Sequence, residues 1–211
     1  NICSLSFSRL AVDRNGNIVD GDKIIATLAL LMKKKGELKG NKVVTTVMSN
    51  MGLENYLKDN DIQLLRASVG DRYVLEKMIA EEVGIGGEQS GHIILLDYAT
   101  TGDGVLTSLK LVEALRDEKK HLDEMVKDIK DWPQKLVNVV VDNKKKNIWN
   151  QNKSITDFIA VKEKEMEGLG RVLVRTSGTE PLVRVMVEGK DMAMVEKVVN
   201  EIAEVVKKEL A

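Results

Sequence analysis

One cysteine, two prolines and a formal net charge of -1 in 211 residues say first what this chain is not. Cys3 alone cannot close an intrachain disulfide, which excludes a small domain stapled by bridges and suits a reducing compartment, with the cytoplasm as the expected location. With 32 Lys and Arg set against 33 Asp and Glu, no overall field draws the chain to nucleic acid or to an anionic membrane. An anionic ligand would have to be held by local geometry. The longest apolar run, Ile24 to Met32, is too short to span a bilayer and is followed by three lysines, the pattern of a helix C-terminus. The opening segment NICSLSFS has neither the basic stretch nor the long apolar stretch of a signal peptide, and its first residue is Asn1, so the chain is expected to be truncated, processed or engineered at its start.

What is present is 43% hydrophobic residues, enough for one large packed domain or two ordinary ones. After a short strand, RLAVD, and the turn RNGN, apolar residues at Ile24, Ile25, Leu28, Leu31 and Met32 predict a helix over 20–35 that Gly36 closes. Strands are expected at 42–48, near IQLLRA and at 92–97. Helices are expected after Asn50, over 71–83 and from the TGDG turn, where Asp103 is a cap, to about Arg116. This alternation indicates an α/β domain with a mixed, largely parallel sheet. From about His121 the texture changes. HLDEMVKDIKDWPQ reads as a charged amphipathic helix ending near Pro133, and the proline and polar turn mark a hinge. Beyond it the pattern predicts strand 135–141, helix 154–166, strands 170–175 and 182–188 and a long helix 191–209, a smaller α+β domain with helices on one sheet face. The expected division is 1–18, 19–132 and 133–211. The lysine triplets at 33–35 and 144–146 read as solvated charge runs.

Two polar loops interrupt these patterns. In RTSGTEPLVR, Arg175 and Arg184 supply forked, permanent charges, Thr176, Ser177 and Thr179 supply hydroxyls, and Gly178 admits close backbone approach, a set suited to a phosphate. The lysine and spacing of a Walker loop are missing, so nucleotide hydrolysis is not implied. The same residues also suit an ordinary hairpin turn with surface arginines. In GIGGEQSGH, Glu88, Ser90 and His92 alternate, which in an extended segment would set all three on one side, where a carboxylate and a hydroxyl can hold sugar hydroxyls or an amine. His92 could donate to phosphate or shuttle a proton. The alternative is a glycine-rich connection with a structural histidine. Its glycines follow a helix and precede a strand, the reverse of the dinucleotide order. Asp71 is placed near a helix N-cap. Arg72 lies in the first turn, where the helix dipole disfavours a cation, so an anionic partner or plain solvation accounts for it.

Taken together and in order, TTVMSNMGLE, GDRYV, GGEQSGH and RTSGTEPLVRVMVEG resemble the α-D-phosphohexomutase superfamily, over essentially all of the chain from Arg9 onward. The resemblance implies an enzyme of four domains. It carries a phosphorylated serine in the first, an Asp-Gly-Asp-x-Asp-Arg magnesium loop in the second, a sugar loop in the third and a phosphate loop in the fourth. It transfers a phosphoryl group from the serine through a 1,6-bisphosphate intermediate. On this likeness Glu88, Ser90 and His92 match the sugar loop, with Arg72 on the same domain's other cleft-facing segment. Arg175, Thr176, Ser177, Gly178, Thr179 and Arg184 form the phosphate loop. Gln89 and the upstream GDRYV favour the phosphoglucosamine branch over the phosphomannose/phosphoglucose branch, making a phosphorylated hexosamine the expected ligand. Arg9 follows SLSFS rather than Asp-Gly-Asp, and nothing resembles the serine loop. The implied reading is the third and fourth domains behind a leader of about eight residues, binding no metal by itself and inactive alone, with the remaining domains as its partner. Arg9 and His92 are then the candidates for any direct catalytic part. A stand-alone sugar-phosphate-binding module is the other class consistent with these residues.

Overall fold

A computed structural model of the chain describes the backbone of residues 3–5 and 8–210, and side chains from Leu10 onward. It divides into two compact units, Asn1–Asp131 and Trp132–Ala211.

The first unit begins with a small antiparallel sheet of β1 (Cys3–Leu5), β2 (Ser8–Val12) and β3 (Ile18–Val19). Asp13 holds the β2–β3 turn by accepting from the amides of Asn15 and Asn17. Then follow α1 (Gly21–Lys35), β4 (Lys42–Thr46), α2 (Met51–Asp59), β5 (Gln63–Ala67), α3 (Asp71–Ala80), β6 (Ile85–Gly87), β7 (Ile93–Leu95), α4 (Gly104–Glu118) and α5 (Leu122–Val126). The sheet order is β5-β4-β6-β7. β4 runs parallel to both neighbours and β6 antiparallel to β7, the mixed, largely parallel sheet expected. Because side chains alternate along a strand, Val43 and Ile93 enter a core with Ile24, Ile25, Leu53 and Leu57, while Val44 and Ile94 enter a second core with Val74 and Met78. Helices therefore cover both faces, as a parallel sheet requires.

Local signals explain the helix bounds. Asp20 accepts from the Lys23 amide at 3.1 Å to start α1, and Gly36, at φ 73°, ends it with its N–H on Lys33 O. Asp103 caps α4 through the amides of Val105 and Leu106. Two expectations are corrected. The helix foreseen from His121 to near Pro133 stops at Val126. Beyond it the Lys130 carbonyl lies so close to Gly52 on α2 that a Cβ there would sit 1.8 Å from the oxygen, and Asp131 pairs with Lys23. These tertiary contacts draw the chain off the helix axis. Nor are lysines 33–35 simply solvated: Lys34 reaches Glu118 at 2.6 Å and Lys35 reaches Asp117 at 2.8 Å, tying α1 to α4.

The second unit holds β8 (Gln134–Val140), a 3-10 segment (Lys146–Gln151), α6 (Lys153–Glu165), β9 (Gly170–Thr176), β10 (Leu182–Gly189) and α7 (Met192–Leu210). Its antiparallel sheet has the order β8-β10-β9. Val183, Val185 and Val187 of β10 pack with Ile155 and Ile159 of α6 and with Val195, Val199, Ile202 and Val206 of α7, a helical stripe of spacing three and four. By alternation Arg184 points away from that core. Its cross-strand partner is Arg175, so the two arginines share the sheet face opposite the helices.

Candidate functional site

In the first unit the candidate residues meet at the β6–β7 turn. Glu88 N–H donates to His92 O and Gly91 N–H donates to Glu88 O, both at 2.9 Å, with Gly91 at φ 93°. The segment is thus a tight reversal, not the extended run expected. The three side chains converge all the same. Ser90 Oγ donates to Glu88 Oε2 at 3.2 Å and lies 3.4 Å from His92 Nδ1, which is 3.9 Å from Glu88 Oε2. Glu88 Oε1 accepts the Gly70 amide at 2.9 Å, which fastens the turn to the start of α3. Gly70, rather than Asp71, is the N-cap residue there.

The turn rests on the N-terminus of α1. Gly21 N–H donates to Gln89 O at 2.9 Å, and the Gln89 amide reaches Asp20 Oδ2 at 3.2 Å. A Cβ on Gly21 would sit 2.0 Å from Glu88 O, so no larger residue fits. Beneath, the buried Asp22 accepts the Asn50 amide at 2.8 Å, and Asn50 in turn caps α2 through Gly52 N. Burial raises the Asp22 carboxyl to about 7, against the opposing pull of the Asn50 amide and the Ser49 hydroxyl. Glu88 and Ser90 edge a cleft of about 420 Å³ whose other walls include Leu10, Ile18, Met48 and Val69. A polar edge facing an apolar wall suits the mixed surface of a sugar.

Arg72 does not join this group. Its guanidinium pairs with Glu76 at 2.7 Å and its side chain is 83% exposed. Asp71 does join it: ligand atoms of Asp71, Glu88 and His92 lie within 4.8 Å of one another, a set able to hold a cation. An imidazole suits zinc better than magnesium, which prefers oxygen donors, and Glu88 already accepts from Gly70 and Ser90. These residues do not fit a magnesium ion. The side chain of Arg9 lies outside the described residues.

In the second unit the loop 177–181 joins β9 to β10. Ser177 N–H donates to Leu182 O at 2.9 Å, and the buried Ser177 Oγ accepts the Glu180 amide at 3.2 Å. Gly178 and Thr179 form the exposed tip, while Thr176 ends β9 half-buried. Arg184 Nη2 pairs with Glu180 Oε2 at 2.9 Å, and its Nε is buried without a hydrogen-bond partner among the described residues. The half-buried Arg175 guanidinium makes no hydrogen bond or ion pair among the described residues. Burial, and then the charge of Arg184, lower its pKa. Two like charges directly across a strand pair repel, and a third group of opposite sign between them would relieve both.

Lys146 is a participant that sequence reasoning missed. Its ammonium donates to Ser177 O at 3.3 Å and Glu180 O at 3.2 Å, spanning the loop from inside the lysine triplet taken as solvated. Glu180 was missed as well. The only sequence signal for Lys146 is a charge run, which does not foretell a fold-back over 31 residues.

These features define a chain with a polar turn on an α/β domain and a cationic hairpin on a small α+β domain, and the comparisons with known proteins give the chain its class. The family model "Phosphoglucomutase/phosphomannomutase, alpha/beta/alpha domain III" matches residues 20–132, and the model of that family's C-terminal domain matches residues 136–205. The chain belongs to the phosphoglucomutase/phosphomannomutase family and corresponds to its third and fourth domains. Among individual relatives it is 65% identical over 201 residues to the phosphoglucosamine mutase of Fusobacterium nucleatum, covering 95% of this chain and 44% of that protein. It is 52% identical to that of Caldanaerobacter subterraneus, again over 201 residues, 95% of this chain and 45% of the relative. The chain thus spans less than half the length of these relatives. The fold also matches a solved structure of Aspergillus fumigatus N-acetylphosphoglucosamine mutase in complex with GlcNAc-6P and magnesium, at a TM-score of 0.76, 20% identity, 95% of this chain and 50% of that one. No helix among the described residues is long and apolar enough to cross a membrane.

Proposed function

We propose that this chain is the sugar- and phosphate-binding portion of a phosphoglucosamine mutase, which interconverts glucosamine 6-phosphate and glucosamine 1-phosphate. The observation that carries the reading is the arginine pair of the β9–β10 hairpin, with Arg175 half-buried and without a partner among the described residues. Such a charge calls for an anion, and the hydroxyls of Thr176, Ser177 and Thr179 and the open backbone at Gly178 surround it with further donors. These residues would hold the phosphate that is not being transferred. Glu88 and Ser90 would hold ring substituents, with the Glu88 carboxylate matched to the amine of a hexosamine, and His92 would bind or move a proton beside them. Arg72 is the outer member of the proposed sugar site and would reach it by exchanging Glu76 for the ligand.

The phosphoserine that exchanges the phosphoryl group and the magnesium that would offset its charge belong, in this reading, to the other domains. When bound there, magnesium would stabilise charge developing on the transferred group. The residues described here would bind and orient the ligand, with the segment near Trp132 and Pro133 as the expected hinge. Those other domains, a phosphorylated hexosamine and the cytoplasm are the partner, ligand and location that complete the proposal, and the chain alone is expected to be inactive.

The test is a titration of the chain with glucosamine 6-phosphate, followed by NMR. Arg175→Ala should weaken binding by about 1.5–3 kcal/mol, the worth of a charge-assisted hydrogen bond. Equal affinity in the variant overturns the assignment. Glucose 6-phosphate binding as tightly as glucosamine 6-phosphate would shift the reading to the phosphoglucose branch.

A further inference from the structure

Within the anion loop the donors are not all free. Glu180 Oε2 sits 2.9 Å from Arg184 Nη2 and 3.5 Å from Ser177 Oγ, so one carboxylate oxygen bridges a guanidinium and a hydroxyl. These are two of the groups expected to grip phosphate. The loop is shaped to bring this about: the Glu180 amide donates to Ser177 Oγ at 3.2 Å, and Lys146 clamps the carbonyls of Ser177 and Glu180, which fixes the distance between the two residues. Glu180 is meanwhile 53% exposed at its side chain, so it can leave without opening the core. Arg175, across the strand, keeps its charge unmatched, so an arriving oxyanion has a docking point before Glu180 moves.

We propose that Glu180 is a built-in stand-in for the ligand: its carboxylate occupies the Arg184–Ser177 position in the free protein and is displaced when a phosphate binds. This rests on the anion-site reading above. The device keeps Arg184 ordered and prevents the two arginines from facing each other uncompensated. Its cost is competition, since every anion must outbid a carboxylate already in place. An oxyanion with several acceptor oxygens can bridge Arg175, Arg184 and Ser177 together, whereas Glu180 reaches only the last two. The site should therefore favour phosphate over simple monocarboxylates.

The experiment titrates inorganic phosphate into the chain and into Glu180→Gln, Glu180→Asp and Arg175→Ala, following the loop amides by NMR. Freeing the donors should tighten phosphate binding in Glu180→Gln by roughly two- to fivefold, the factor that an exposed ion pair is worth. Glu180→Asp keeps the charge but is one methylene too short to bridge Arg184 and Ser177, so it should tighten binding too. Weaker or unchanged binding in Glu180→Gln overturns the proposal and makes Glu180 a support for Arg184. Tightening in Glu180→Gln alone also overturns it, because the net charge and not the contact would then be responsible. Arg175→Ala separates the two levels of the argument. If the parent chain binds phosphate no better than Arg175→Ala, the anion site itself is wrong; if Arg175→Ala loses binding and Glu180→Asp matches the parent, only the stand-in is wrong.

Discussion

The two candidate loops achieve order in opposite ways. The turn at 88–92 is built mainly from backbone: its amides and carbonyls bond to one another and to Gly21, the Glu88 carboxylate adds the bond to the Gly70 amide, and its neighbours approach so closely that Gly21 has no room for a methyl group. The loop at 177–181 has the Ser177–Leu182 backbone bond at its base but is otherwise held largely by side chains, with Lys146 on its carbonyls and Glu180 on Arg184, and a Cβ on Gly178 would meet nothing within 4 Å. A backbone-built turn presents a fixed set of polar atoms, which suits recognition of a ring. A side-chain-built loop can exchange partners, which suits an anion that has to be taken up and released.

The sharpest way to break this comparison is Gly21→Ala. The new methyl would lie 2.0 Å from Glu88 O and 2.8 Å from Gly91 N, both backbone atoms that cannot rotate aside. The expected loss is about 3 kcal/mol, at the upper end for overpacking, read as a fall in the urea midpoint of the first unit. Survival of full stability would show that the turn is as yielding as the anion loop.

Next in size is a pH effect under the same turn. The Asp22 carboxyl is raised from 3.8 to about 7 in the fold by burial. A raised folded value means that the folded state holds the proton longer than the unfolded chain does. The contribution is complete below pH 3.8, is lost as pH rises towards 7, and is gone above it. Asp22→Asn keeps an acceptor for the Asn50 amide and carries no charge to desolvate. Its stability relative to the parent should therefore climb between pH 4 and pH 8, by a few kcal/mol at most. Urea unfolding of both proteins at pH 5 and pH 8 measures this, and parallel curves would remove Asp22 as a buried titrating support.

What could be read in the sequence follows the same division. The α1 stripe, the Asp103 cap, the Gly36 stop and the β9–β10 hairpin were legible because each depends on residues close in the chain. So was the mixed sheet, from the alternation of strand and helix. The convergence of Glu88, Ser90 and His92 was foreseen with the wrong geometry: alternation suggested an extended run, and a hairpin reversal brings them together instead. Lys146, Glu180 and Asp22 were not legible in their roles. Asp22 and Lys146 act through partners fixed by tertiary folding, the amide of Asn50 and carbonyls 31 and 34 residues away, whereas Glu180 has its partners three and four residues off but meets them only through the shape of the loop, which has no periodic signal. The early end of α5 at Val126 was not legible for a like reason, since the approach of the Lys130 carbonyl to Gly52 leaves no periodic trace.

The smallest expected effect on stability is the most informative about function. Gly178 has open space where a side chain would project, and its φ lies outside the left-handed region, so nothing in the folded chain demands glycine there. Gly178→Ala should leave unfolding within about 0.5 kcal/mol of the parent, as for an unconstrained surface site. If the loop tip receives a phosphate against its backbone, that same methyl stands in the ligand's approach. Affinity for glucosamine 6-phosphate should then fall several-fold while the melting curve does not move. Gly21→Ala predicts the reverse order of effects, with stability lost first and ligand affinity only through it. Unchanged affinity in Gly178→Ala would place the phosphate on the side chains of Arg175, Ser177 and Arg184 alone, and would assign the glycine to the turn instead of the ligand.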